Sequence, residues 1–420
     1  MYNRYIALIS YHTCPLASEE GKETGGMNVY VLELGKRLAQ KGLMVDAFTR
    51  SQDPTNQKIV QVAPGFRVIH LPAGPEAPIP KKEVYRFIPE FVENFLRFTH
   101  ENDLQYEVLD CHYYLSGLIG LEIQERQHQP IIMTFHTLAM MKNLVARDEL
   151  EKESRERIES ELTLVQKADV IIAPSRNEKQ YLEYLYETDP AKIHIIHPGV
   201  DLSLFKPIPQ AEAKAFIHAA PDCQMIMFVG RIEPLKGIDG LLYAMKILTS
   251  KNPDLKVCLW IVGGDISQPV DQWSKELQKL EHLRQLLKID TMVKFVGQRP
   301  QHELPYYYNA AELVVMPSHY ESFSMTAAEA MACGVPVITT NVAGVSTLMD
   351  DQRESLILSV NNPLLLAQKI EQLLYQPNVR QKLCGALREN VKNVTWETTA
   401  DALIDIYKRL ILQPSVSRQS

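Results

Sequence analysis

Two glutamates, Glu321 and Glu329, stand eight residues apart in the run PSHYESFSMTAAEAMACGVPVITT at 317 to 340. An apolar strand pattern, ELVVM, precedes them; Ser324 is placed to cap a helix, Gly334 to end it, and Pro336 comes just before the next strand. The first turn of a helix carries backbone N–H groups without intrahelical partners, so it suits an anion such as phosphate. A carboxylate on the loop before that turn, and another inside the helix, can accept hydrogen bonds from hydroxyls. Phosphate and hydroxyls together describe a nucleotide sugar. Spacing speaks against a hydrolytic acid–base pair: eight helical residues rise roughly 12 Å, beyond the roughly 5 to 9.5 Å such pairs use, although a loop position for Glu321 shortens the gap. The plain alternative is a strand–loop–helix unit with two solvated glutamates, and the surrounding string argues against it.

A second set follows the strand QMIMFVG, in GRIEPLKG, where Arg231 and Lys236 lie on the loop after Gly230. Arg offers a rigid fork to phosphate oxygens and Lys a mobile point charge, and together they can neutralise charge gathering on a departing diphosphate. Two surface cations beside a turn would read the same; the Glu321 to Glu329 unit in the same half separates the two. Near the start, Gly25 and Gly26 precede an amphipathic helix in GKETGGMNVYVLELGKRLAQKG. A glycine pair lets backbone approach a ligand, yet this is not the dinucleotide pattern G-x-G-x-x-G, and a bland loop remains open. His112 and Tyr113 in DCHYYLSG, and His136 and Thr137 in TFHTLAMMKN, fall at strand ends, where a lone His is often structural. Arg299 follows another strand in GQRPQHELPYYY, where main chain could grip a base; Tyr306 to Tyr308 read as packing.

Strands and helices alternate throughout, the pattern of parallel doubly wound sheets. Strands are expected at 4–10, 44–49, 67–71, 108–112, 131–136, 169–175 and 192–199, forming one Rossmann-like sheet, and at 224–230, 256–264, 292–298, 312–318, 335–340 and 355–359, forming a second. Two sheets imply two domains with a cleft between them, and PGVDLSLFKPIPQ at 198–210 supplies a hinge. The domains are drawn at 1–205 and 206–395, followed by helices at 362–376, 378–392 and 396–412, the last with a long apolar stripe able to pack on either domain. The charged stretch 147–161 reads as a solvated helix face from which an arginine or two can turn inward, and QPSVSRQS reads as disordered.

The chain has 420 residues, 45% of them hydrophobic and 23% charged, and a formal net charge of -7. No long basic stripe or aromatic-interleaved basic run marks a nucleic-acid partner. No apolar run reaches the roughly 20 residues of a membrane span, and MYNRYIALIS carries no cleavage pattern, so a cytoplasmic protein is expected. Cysteines at 14, 111, 223, 258, 333 and 384 lack metal spacing and read as reduced core thiols. With no Asp-x-Asp to hold a divalent ion beside a diphosphate, a metal-independent reaction without cofactors is expected. Oligomeric state is not fixed by these residues, and a homodimer is compatible with them.

GGMNVYV at 25–31, HPGVD at 197–201, GRIEPLKG at 230–237 and ESFSMTAAE at 321–329, in this order, resemble the retaining glycosyltransferases of family 4, and the likeness covers nearly the whole chain. The resemblance implies the GT-B architecture, two facing Rossmann-like domains with the last helix crossing back to the first. It implies a UDP-sugar donor, its diphosphate held by Arg231 and Lys236 and approached by the Gly25–Gly26 backbone. Glu329 would hold the ribose, Glu321 the donor sugar, and amides near Ser324, Met325 and Thr326, flanked by Phe323, a phosphate; Gly230 and Arg299 complete the donor set. His136 would lie beside the transferred sugar. No protein nucleophile and no essential metal are implied. HTCPL, GGMNVYV, HYYLSG and HTLAMMKN resemble the branch of sucrose-phosphate synthases and the inositol-phosphate N-acetylglucosaminyltransferases of mycothiol synthesis. That branch implies a phosphorylated sugar or polyol acceptor, its phosphate held by Lys81 or Lys82, Tyr113, Thr137 and an arginine, Arg157 ahead of Arg155, with Asn28 and His136 alongside. The sucrose-type acceptor, fructose 6-phosphate, is placed marginally first, because the Lys, Gln and Ile content does not look like the GC-rich organisms that make mycothiol. A non-catalytic nucleotide-sugar binding protein, or a related phosphorylase, is the competing class.

Overall fold

The computed structural model describes residues 4–17, 25–341, 344, 348–349, 356–359 and 361–412. The tail QPSVSRQS and the side chain of Lys82, both named above, lie outside the described residues. The chain divides into two compact units, residues 1–198 with 396–420, and residues 199–395. The division falls at Pro198, somewhat before the boundary drawn at 205.

The first unit is built on an eight-stranded sheet: β1 (Tyr5–Ile9), β2 (Met44–Arg50), β3 (Ile59–Ala63), β4 (Phe66–Leu71), β5 (Val108–His112), β6 (Ile131–Thr134), β7 (Val170–Ala173) and β8 (Ile193–Ile195), in the order β3-β4-β2-β1-β5-β6-β7-β8. All neighbours are parallel except β3 with β4. The expected seven strands miss β3. Its alternating IVQVA is an edge half-exposed to solvent, closed onto β4 by a tight turn at Gly65, whose φ of +79° suits glycine. Central strands β5, β6 and β7 are buried along their whole length, and β6 and β7 read as largely apolar runs, which the edge does not.

The second unit holds β9 (Gln224–Val229), β10 (Val257–Val262), β11 (Val293–Gly297), β12 (Leu313–Met316), β13 (Val337–Thr340) and β14 (Ile357–Leu358), all parallel, in the order β11-β10-β9-β12-β13-β14. In both sheets the winding reverses beside one strand, β1 in the first and β9 in the second. Ligands of open α/β sheets bind at such a reversal, outside the carboxyl ends of the strands. Gly25 and Gly26 lie on the connection that leaves β1, and Gly230, Arg231 and Lys236 on the loop that leaves β9.

Six helices matter below: α1 (Gly26–Gln40), α2 (Lys81–Val84), α3 (Ala139–Val145), α4 (Arg155–Lys167), α5 (Met325–Ala332) and α6 (Trp396–Leu412). The charged stretch is helical only from Arg155, where the Ser154 hydroxyl caps α4 by accepting from the Arg157 amide. Although it follows the second unit in sequence, α6 belongs to the first. Arg37 and Lys41 of α1 pair with its Glu397 and Asp401 at 2.7 and 2.6 Å, and its buried Tyr407 donates to Asp110 of β5 at 2.7 Å.

One cysteine expectation is corrected. Cys223 and Cys258 form a disulfide, because β9 and β10 lie side by side with Gln224 opposite Val257, which brings the two Cα atoms to 6.1 Å. Cys14, Cys111, Cys333 and Cys384 are free thiols.

Candidate functional site

In the second unit the loops after β9 and β12 meet at the reversal point. Gly237, with φ +62°, turns the first loop into its helix, and a Cβ there would fall 2.3 Å from the Pro317 carbonyl oxygen of the second loop. The loops are laced together: the His319 amide donates to the Leu235 carbonyl at 2.7 Å, and Asn361 Nδ2 donates to the carbonyls of Pro317 at 2.8 Å and Gly237 at 3.2 Å. This places Lys236 Nζ 2.7 Å from Glu321 Oε1, with both side chains only 13% exposed. Ser318 Oγ donates to the other Glu321 oxygen at 3.0 Å. Two residues 85 apart in sequence are thus one ion pair at a helix entrance. Arg231 is not drawn into it; its guanidinium is half exposed and pairs with Glu233 at 2.6 Å.

Ser324 stands at the N-cap position of α5, but the capping bond expected of it is absent. Its backbone is left-handed, φ 79° and ψ 76°, which turns the side chain away from the first-turn amides. The buried Ser324 Oγ has no hydrogen-bond partner, so a hydroxyl and the first amides of α5 are left unsatisfied together. Glu329, one turn into α5, is buried and accepts from Tyr308 Oη at 2.8 Å. Burial pushes its carboxyl up to about 7, against the Tyr308 and Gln301 donors that hold it down. Tyr308, read above as packing, is thus also the donor that conditions Glu329. Arg299 donates to the Val296 carbonyl at 3.1 Å and flanks the Tyr307 ring.

In the first unit, Gly25 and Asn28 close the entrance of α1. The Gly25 amide donates to Asn28 Oδ1 at 3.0 Å, while Asn28 Nδ2 donates to Thr13 Oγ1 and the Cys14 carbonyl, both at 2.6 Å. Asn28, expected at the acceptor, therefore has its amide committed to holding the β1–α1 loop. His112 and His136, from the ends of β5 and β6, bring ring nitrogens Nδ1 and Nε2 to 3.1 Å. His136 keeps some exposed surface and a strained φ of +60°, and burial pulls its pKa down to about 3, so it is neutral. Below His112, Asp110 is fully buried, and burial raises its carboxyl to about 7 against the Tyr407 hydrogen bond.

Around Tyr113 the acceptor candidates assemble. Lys81 Nζ lies 3.9 Å and the Arg157 guanidinium 4.8 Å from the Tyr113 ring centre. Arg157 is the arginine turned inward, 2% exposed, donating through Nη2 to the Thr137 carbonyl at 2.9 Å and hydroxyl at 3.1 Å. Arg155 faces solvent, paired with Glu159. The spacing Arg157 to Glu161 is one helical turn, and Nε donates to Glu161 at 2.8 Å. Lys142 and Glu153, paired beside Arg157, were missed by the sequence reading, although the i,i+4 spacing of Glu153 and Arg157 is a signal for them. The buried Tyr113 hydroxyl has no hydrogen-bond partner. Among the described residues no group of three or more His, Cys, Asp or Glu is placed to hold a metal ion, and no helix is long and apolar enough to cross a membrane.

Such a pair of sites can hold anions and hydroxyls, and similarity to known proteins agrees. The family model of Glycosyltransferase Family 4 matches residues 24–204, and that of Glycosyl transferases group 1 matches residues 210–394. A D-inositol 3-phosphate glycosyltransferase of Nocardioides sp. is 34% identical over 415 residues, covering 97% of this chain and 90% of its own. The solved sucrose-phosphate synthase of Thermosynechococcus elongatus superposes with a TM-score of 0.88 at 32% identity, covering 98% of this chain and 100% of its own. An Anabaena protein, HepE, solved with UDP-glucose, shares the fold alone, with a TM-score of 0.74 at 16% identity over 96% of this chain and 99% of its own. Two parallel-sheet α/β units, both family models and relatives along almost the whole length make this chain a member of glycosyltransferase family 4, a nucleotide-sugar-dependent transferase of GT-B architecture.

Proposed function

We propose that the chain is a retaining glycosyltransferase that moves a hexosyl group from a UDP-sugar to a phosphorylated acceptor, an inositol phosphate in the first reading. The observation that carries the acceptor class is the pair Lys81 and Arg157 over the ring of Tyr113, whose hydroxyl is unpartnered, with Lys142 joined to Arg157 through Glu153, a cationic seat for an anion. The donor reading rests on the Lys236–Glu321 pair, the unsatisfied Ser324 hydroxyl and amides of α5, and Glu329 with its Tyr308 donor. In the proposed reaction the sugar C1–O bond to the diphosphate breaks and the new C1–O bond forms on the same face. The departing diphosphate oxygen takes the acceptor hydroxyl's proton. Lys236 and Arg231 neutralise the charge that grows on the leaving group, and neutral His136 hydrogen-bonds the sugar. No metal takes part.

The relatives weigh toward the inositol phosphate acceptor, which the sequence reading placed second to fructose 6-phosphate. The sucrose-phosphate synthase structure supports the latter as the second reading. A matrix of UDP-glucose and UDP-N-acetylglucosamine against D-inositol 3-phosphate, fructose 6-phosphate and their unphosphorylated forms separates the two, read as UDP release and product mass. The expected result is UDP release that needs a phosphorylated acceptor and survives a chelator. Equal rates with unphosphorylated acceptors would overturn the phosphate seat.

A further inference from the structure

The acceptor cluster holds three cations and two carboxylates, and the carboxylates are not equivalent. Glu161 is fully buried and committed on both oxygens: Oε1 accepts from Arg157 Nε at 2.8 Å, and Oε2 from the Ala139 amide at 2.9 Å and Tyr186 Oη at 2.6 Å. It is a fixed counterion. Glu153 keeps 22% of its side chain exposed. Its Oε1 pairs with Lys142 Nζ and lies 2.8 Å from Arg157 Nη1, a contact without hydrogen-bond alignment. Burial pushes the Glu153 carboxyl up, but Arg157, Lys142 and Lys81 outweigh it and hold the group at about 2, so it is charged at neutral pH. The backbone is pinned, since its amide donates to Asn143 Oδ1 at 2.6 Å and its carbonyl accepts from Asn143 Nδ2 at 3.2 Å. Only the side chain can swing.

We infer that Glu153 is the resident anion of the acceptor seat and determines the charge an acceptor must carry, yielding its place to a dianionic phosphate and not to a neutral group. This rests on the phosphate-seat reading above. With Glu153 in place, Lys81, Lys142 and Arg157 against Glu153 and Glu161 leave one net positive charge; with Glu153 swung out, two remain, the match for a dianionic phosphate. A hydroxyl in its stead would leave two cations uncompensated, which is specificity by competition as much as by attraction. The Tyr113 hydroxyl, which the carboxylate leaves without a partner, gains an acceptor only when phosphate oxygens arrive.

The test measures binding of inorganic phosphate to the full chain by titration calorimetry in wild type, Glu153→Gln, Glu153→Asp and Lys81→Met, with UDP binding as the check that each variant is folded. Glu153→Gln keeps the shape and removes the charge. It should tighten phosphate about tenfold and steepen the salt dependence, with Glu153→Asp between it and wild type and Lys81→Met weaker than wild type. Unchanged or weaker phosphate binding in Glu153→Gln, with Lys81→Met still weakened, overturns the role of Glu153 alone. Phosphate affinity that moves in neither Glu153→Gln nor Lys81→Met overturns the seat itself.

Discussion

Replacing Tyr308 with Phe should weaken UDP binding near neutral pH and spare it in alkali. The ring is fully buried, so Phe keeps its packing and loses only the O–H that Glu329 accepts at 2.8 Å. A hydrogen bond to a charged group is worth about 1.5 to 3 kcal/mol, equivalent to about 1 to 2 pKa units. The Glu329 carboxyl, raised by burial to about 7 in the wild type, would titrate near about 8 to 9 in the variant. At pH 7 the ionised fraction then falls from about one half to between about one in ten and one in a hundred. If the ribose hydroxyls donate to the ionised form, UDP affinity at pH 7 drops about 5- to 50-fold, and the deficit closes as pH passes the new value. Stability moves with the same group. A carboxyl raised on folding binds more protons folded than unfolded, so stability falls as pH rises from the ordinary 4.5 to about 7, by on the order of 3 kcal/mol. In Tyr308→Phe that fall extends further into alkali. Calorimetric titration with UDP from pH 6 to 9.5, beside melting curves at pH 5 and 8.5, reads both effects. A uniform loss of affinity at every pH, or none, would refute the assignment of Glu329 to the ribose.

The two cations of the second unit should part company in stability and agree in kinetics. Arg231→Ala, from a half-exposed pair, should change unfolding free energy by less than about 0.5 kcal/mol, whereas Lys236→Ala strips a largely buried Glu321 of its cation and should cost about 1 to 3 kcal/mol by urea titration. Both should lower kcat more than UDP affinity, since leaving-group charge grows toward the transition state; the reverse split would contradict the charge role. Arg50→Met should raise the KM for a phosphorylated acceptor while leaving UDP affinity unchanged. Its buried guanidinium donates to the carbonyls of Pro75 at 2.7 Å and Ala77 at 2.8 Å, which fixes the approach to α2 and Lys81; an unaltered acceptor KM would show that this loop needs no such anchor.

What the sequence made legible divides by range. Glu321, Lys236, Glu329 and the helix start between them are local signals, set by strand, loop and helix within a few tens of residues. Partners that arise from topology carried no such signal. Tyr308 sits in a run of three tyrosines, and successive helical positions point about 100° apart, so only the fold decides which one reaches Glu329. Asn361 ties Gly237 to Pro317 from 124 and 44 residues away. Cys223 and Cys258, 35 residues apart, become neighbours only because β9 and β10 pair in parallel. The unexpected left-handed Ser324 shows the opposite failing: a residue type that usually caps is held in a conformation that cannot. β3, a short, half-exposed edge strand, lacks the apolar run that marks its neighbours.

The return of α6 also sets an order of events during synthesis. Tyr407 meets Asp110 across 297 residues, and all of residues 199–395 lie between them in the chain. A ribosome emits the second unit whole before the helix that finishes the first has been made. Until then Asp110 and the surface that α6 covers lack the helix that buries them in the finished unit. The contacts that α6 makes with α1 and β5, which join parts of that unit 297 to 360 residues apart in the chain, therefore cannot form until the second unit has been synthesised.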